Sequence, residues 1–176
     1  MQTPIIQRPR EGEYPRDFEQ YMKLVPSDNL VEYFESQKDS VATLAPTLTE
    51  DQLLYRYAEG KWSIKDVFQH VIDCERIYTY RALAIARRDA TSLPGFEEND
   101  YARTAHADRR DIARMIADYK SVRAATIELF KSFDEEMLAR VGIANNTKRS
   151  VRSIGYSAAG HELHHLQIIK ERYLKA

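Results

Sequence analysis

The segment GHELHHLQIIKERY, residues 160–173, lies near the end of a 176-residue chain and carries three of its five histidines. It is free of proline and closes a run of helical character. On an α-helix each residue advances about 100°, so His161 and His165 stand about 40° apart on one face. Ala158, Ile168 and Ile169 fall within or beside the same arc. The two imidazoles therefore take core positions on the last helix. His164 sits to one side, about 60° from His161 and about 100° from His165, where it flanks the face. Imidazoles buried among isoleucine and alanine are costly unless their nitrogens find partners. A divalent metal is one such partner, and i, i+4 is the usual helical ligand spacing. Backbone, water or tyrosine is the other.

Glu162 completes the H-E-x-x-H spacing of the zinc proteases. That chemistry needs a third ligand further along the chain. Eleven residues follow His165, without a Gly-x-x-His continuation, and Glu171 lies off the histidine face. The spacing therefore argues against a metalloprotease and leaves Glu162 facing a neighbouring helix or solvent.

Working back from this segment, Ser150 is placed to cap a helix running to about Leu174. Gly155 and Gly160 interrupt it, by close helix approach or by fraying. Before it, Val141–Ala144 and Thr147–Val151 flank Asn145-Asn146, a pair that tolerates left-handed turn geometry and predicts a short hairpin. A helix from about Asp108 to Phe133 follows from Ile112, Met115, Ile116, Tyr119, Val122, Thr126, Leu129, Phe130 and Phe133. A second runs from Ser63, paired with Asp66 in a capping-box arrangement, to about Arg88. A further helix is predicted over 27–44, with short helical pieces at 17–23 and 49–52. All six prolines lie in breaks. The fold expected is all-α, a four-helix bundle with a short hairpin before the last helix. It forms one domain over 1–176, with residues 1–15 as an extended arm.

His70 lies i+3 from Val67 and i−4 from Cys74, beside the apolar stripe of the second helix. With His161 and His165 it makes a facial three-histidine set, which leaves coordination positions open as catalytic sites do. Arg81, eleven residues after His70, projects about 20° from it and about 16 Å further along the axis. It can receive an acidic substrate group, or form a salt bridge. Cys74 reads as a small packing residue or a soft fourth ligand. The acidic stretch 93–106 reads as a loop, either a lid or a plain connector. His106 has no ligand spacing.

Lys and Arg number 26 against 27 Asp and Glu, a formal net charge of −1. This gives no push toward nucleic acid. No apolar run approaches the ~18 residues of a membrane span, and the start has no apolar segment of signal-peptide length. A single cysteine excludes an internal disulfide. A cytoplasmic location is the default expectation.

The motifs together resemble those of the DinB/YfiT-like family of small helical metalloenzymes. They are WSIKDVFQH at 62–70, DCERIYTYRALAIAR at 73–87, LPGFEENDY at 93–101 and GHELHHLQIIKERY at 160–173. The resemblance spans about residues 14–174. It implies a four-helix bundle whose metal is held at His70, His161 and His165, in agreement with the helical-wheel argument. It further implies zinc, nickel or another divalent ion, a small-molecule substrate, and in several members a homodimer. The activities it implies are transfer of a low-molecular-weight thiol, with that thiol as cosubstrate, or hydrolysis of a small molecule. The alternative is a non-enzymatic stress-response or binding module with a structural metal or none.

Overall fold

In the computed structural model, which describes residues 4–174, the chain runs through α1 (Glu19–Leu24), α2 (Leu30–Ser36), α3 (Ser40–Leu44), α4 (Glu50–Leu54) and α5 (Ile64–Ala86). It continues through α6 (Glu98–Ala105), α7 (Ile112–Lys131), α8 (Glu135–Ala139), β1 (Val141–Ala144), β2 (Thr147–Ser150) and α9 (Val151–Ile168). The long helices α5, α7 and α9 make three sides of a four-helix bundle. Short α1, α2 and α3 build the fourth, with α1 packed on α9 and α2 between α7 and α9.

Local chemistry sets most boundaries. Ser63 and Asp66 exchange side-chain and backbone bonds of 3.0 Å, closing the capping box that starts α5. Thr49 and Gln52 do the same for α4. Asp111, not Asp108, caps α7, accepting from the Arg114 N–H at 2.9 Å. Asp108 is occupied elsewhere, by the Ser63 hydroxyl at 2.6 Å and Arg56 at 2.7 Å. The hairpin forms as the asparagine pair predicts. Val141 faces Ser150 and Ala144 faces Thr147, and Asn145 and Asn146 take φ of 51° and 59°, the primed turn that suits strand twist. Ser150 then caps α9, accepting from the Ser153 N–H at 3.1 Å.

Three expectations need correction. The helix expected over 27–44 is two helices, α2 and α3, broken at Gln37–Asp39. The Gln37 carbonyl turns back to the Ser40 N–H at 3.1 Å and also accepts from Arg123 at 3.4 Å. The stretch 93–106 is not a loop throughout, because it contains α6. Glu97 caps that helix, and none of its residues is buried, so it shows no apolar stripe for periodicity to detect. The last helix does not stay α-helical to Leu174 either. It widens into a π-helical turn over Ile169–Tyr173, where Leu174 N–H bonds Ile169 O.

The N-terminal arm docks from residue 4 onward through Ile6, which is fully buried. Its N–H and carbonyl pair with Asn29 and Leu30, and its carbonyl also accepts from the Tyr156 hydroxyl. Residues 1–3 lie outside the described part. Among the described residues no helix is long and apolar enough to cross a membrane.

Gly160 lets α1 approach α9. A Cβ there would lie 2.0 Å from the Tyr21 carbonyl oxygen, a backbone atom. Close approach, not fraying, therefore explains this glycine. Gly160→Ala should destabilise the protein by about 1–3 kcal/mol through overpacking, despite the ~1 kcal/mol that alanine gains in helix propensity. Urea denaturation reads the sign, and a more stable variant would show that α1 does not press on α9 in solution.

Candidate metal centre

The structure brings His70 of α5 together with His161 and His165 of α9. His70 Nε2 lies 3.0 Å from His161 Nε2, and His165 Nε2 lies 3.1 Å from the same atom. The candidate ligand atoms of all three lie within 4.8 Å of one another. His70 and His161 are buried and His165 is half-buried.

Hydrogen bonding alone does not account for this cluster. A neutral imidazole Nε2 offers either one N–H or one lone pair. The central His161 Nε2 faces two other ring nitrogens and can satisfy only one of them well. A metal resolves the conflict, because three lone pairs can then converge on a single point. Nitrogens about 2.1 Å from one ion, and about 90–110° apart around it, lie ~3.0–3.4 Å from each other. The two observed separations fall in that interval, so the residues present fit a divalent ion.

The electrostatics agree. Burial pushes His70 down to about 4 and His165 down to about 3, the latter with help from His70 and His164. His161 falls well below its ordinary value, first through burial and then through the neighbouring histidines. All three are therefore neutral at physiological pH and keep lone pairs for a ligand role.

Aromatic rings wall the cluster. The Trp62 indole packs 4.7 Å from the His70 ring and stacks on His165 at 6.4 Å. The π-helical turn holds it there, since Tyr173 donates to the Trp62 carbonyl at 2.8 Å. Tyr21 and Tyr78 set their edges against His161, each at 5.8 Å. Cys74 Sγ is 3.6 Å from His70 Nδ1 and 3.5 Å from its Nε2. Near-equal distances place the sulfur against the ring and off the line of either lone pair. Burial also drives its thiol pKa far up, so Cys74 is a neutral packing group. His164 flanks the cluster as expected, edge-on to Tyr21 at 5.5 Å. Arg81 is buried and donates to the Pro94 carbonyl at 2.7 Å. It makes no salt bridge among the described residues. Exposed His106 caps α6 in left-handed backbone, outside the cluster.

The sequence reading missed a buried polar network behind the histidines. Glu162 points to α7, not to solvent or the imidazoles. Its carboxylate accepts from Arg123, from Ser40 and from the Tyr119 hydroxyl, the last at 2.6 Å. Arg123 grips Glu75 of α5 with two bonds, of 2.8 and 2.7 Å. Arg123 lies one turn from Tyr119 and one residue beyond Val122 on an apolar helix. A charge within a buried stripe was the available signal.

The family description of the DinB superfamily matches residues 33–169. The chain belongs to the DinB superfamily. A relative from Oceanobacillus iheyensis, named provisionally as a metal-dependent hydrolase, is 25% identical over 138 residues, covering 77% of this chain and 79% of the relative. YfiT from Bacillus subtilis, described as a probable metal-dependent hydrolase with an unusual four-helix bundle topology, superposes with a TM-score of 0.70 at 14% identity. That match covers 93% of this chain and 90% of YfiT. At such identity the likeness speaks for the DinB-type fold.

Two consequences are measurable. Arg123→Met strands two buried carboxyl groups, and breaking such a pairing costs about 3–5 kcal/mol. Adding Glu75→Gln and Glu162→Gln should recover much of the loss in denaturation experiments. The second concerns pH. In the unfolded chain His70 and His165 take up protons near 6.5, but in the fold only near 4 and 3. Between those values unfolding takes up protons, so the metal-stripped protein is most stable above pH 6.5 and weakens as pH falls toward 4. A urea midpoint that stays flat from pH 7.5 to 5 would contradict this.

Proposed function

We propose that this DinB-superfamily protein is a metal-dependent enzyme acting on a small molecule. His70, His161 and His165 hold one divalent ion, zinc or nickel. The observation that carries the reading is the pair of 3.0 and 3.1 Å Nε2 separations around His161, of which hydrogen bonding can satisfy only one well. A bound divalent ion supplies Lewis acidity, lowering the pKa of a water or thiol and polarising an electrophile. The protein's own groups do the rest. Three histidines leave further coordination positions open. Trp62, Tyr21 and Tyr78 restrict water around the imidazoles and orient what enters.

Hydrolysis is the first reading, in line with how the Oceanobacillus and Bacillus relatives are described. The second is transfer of a low-molecular-weight thiol to an electrophile. The engagement of Glu162 favours it, because the glutamate of the H-E-x-x-H segment is held by Arg123, Tyr119 and Ser40 and is not free as a general base. A thiol brings its own dissociable proton and asks less of the protein.

The test is metal content by elemental mass spectrometry, on tag-free protein never exposed to a nickel column. About one divalent ion per chain is expected, lost in His165→Ala. The loaded protein is then offered esters and amides alone, and electrophiles with a small thiol. No metal in the wild type, even after incubation with zinc or nickel, would sink the enzyme reading and leave a helical binding module.

A further inference from the structure

Two arginines near the histidines are buried without a counter-charge. Arg149, at the end of β2, is 2% exposed, and Arg81 of α5 is 7% exposed. Neither forms a salt bridge among the described residues. The ionisable neighbours that act on Arg149 are Tyr78 and Arg81, and those that act on Arg81 are Tyr78, Cys74 and Tyr101. None of these is a carboxylate. The other deeply buried arginines among the described residues, Arg123 and Arg152, are both paired with glutamates.

The Arg149 guanidinium is only partly satisfied. Phe18 covers its face at 3.9 Å. Its Nη2 donates to the Ser157 hydroxyl and, at 3.3 Å, to the Ser153 carbonyl. Its Nε finds no acceptor among the described residues. A buried guanidinium left in this state is costly, and burial pushes its pKa down to about 10. An unsatisfied buried donor in a folded protein calls for an explanation.

The position of these groups supplies one. His70, Cys74, Tyr78 and Arg81 follow one another along a single face of α5. Opposite them on α9, Ser157 precedes His161 by one turn. The stripe therefore runs from the histidines, past Tyr78, to the two guanidiniums. Tyr78 touches His161 at its ring edge, and its hydroxyl bonds no protein group among the described residues. Unused N–H and O–H donors, with two positive charges, thus accumulate on one side of the histidine cluster.

We propose that Arg149 and Arg81, with the Tyr78 hydroxyl, form the receptor for a carboxylate of the substrate, whose reacting end lies at the three histidines. The substrate class is a small carboxylic acid. A carboxylate would accept from the free Arg149 Nε–H and supply the missing negative charge for both arginines. The assignment rests on the metal-centre reading only for where the reacting end lies, and the two fail separately.

The test is calorimetric binding of succinate and of its neutral analogue succinamide to the full-length protein, both zinc-loaded and chelator-stripped. Succinate, not succinamide, should bind in both forms. Arg149→Gln and Arg81→Gln should each weaken it tenfold or more, while each variant keeps the zinc content of the wild type. Arg149→Lys keeps the charge but loses the Nε–H and the planar fork, so it should bind succinate more weakly than the wild type and more tightly than Arg149→Gln, a graded order that loss of folding would not produce. Succinate binding that requires zinc and is unchanged in both glutamine variants would overturn the proposal, placing the carboxylate on the metal instead. Tighter binding of inorganic phosphate than of succinate would overturn the carboxylate assignment. Loss of zinc in His165→Ala with succinate still bound supports the receptor, and absence of zinc from the wild type would sink the metal reading alone.

Discussion

The guanidinium of Arg123 ties together the two helices that carry the histidines. It reaches from α7 to Glu75 of α5 and to Glu162 of α9. Glu75 lies five residues after His70, and Glu162 is next to His161. The ion pairs therefore fix the spacing and rotation of α5 and α9 within about one or two turns of the imidazoles. A ligand set drawn from two separate helices needs such a constraint, because a rotation of about 20° in either helix would shift an imidazole nitrogen by an ångström or more. The Phe34 and Tyr119 rings lie over the same guanidinium, at 5.1 and 5.3 Å, and help to exclude water from the charges.

The same network explains the irregular fourth side of the bundle. Ser40 and the Gln37 carbonyl both serve this network. An unbroken helix would commit the Gln37 carbonyl to the residue four places on and turn Ser40 elsewhere. The break between α2 and α3 is where the backbone leaves helical geometry to satisfy a buried charge. Gly160 contributes from the other direction, by letting α1 close on α9 and set Tyr21 against His161.

Much of this was legible in the sequence, and the reasons differ from element to element. Ser63–Asp66 and Asn145-Asn146 carry their conformations locally, so the start of α5 and the hairpin could be read from neighbouring residues. His161 and His165 could be placed from helical period alone, and His70 from its position beside the stripe of α5. The α2–α3 break could not be read, because the apolar stripe continues across it. The exposed helix α6 could not be read, because it buries none of its residues. Trp62 depends on the π-helical turn that brings Tyr173 to its carbonyl, and no local pattern announces that turn.

Charged residues divide along the same line. Three histidines in register are informative by themselves, because their type and spacing already specify a shared chemistry. A buried arginine is informative only through what stands beside it. In sequence neither Arg123, between Val122 and Ala124, nor Arg149, between Lys148 and Ser150, shows what it meets. In the fold one meets two carboxylates and the other meets a tyrosine and a second arginine. The first arrangement is complete within the protein and holds helices in place. The second is short of one negative charge, and that deficit, set along the same helix face as the histidines, is what a carboxylate-bearing substrate would make good.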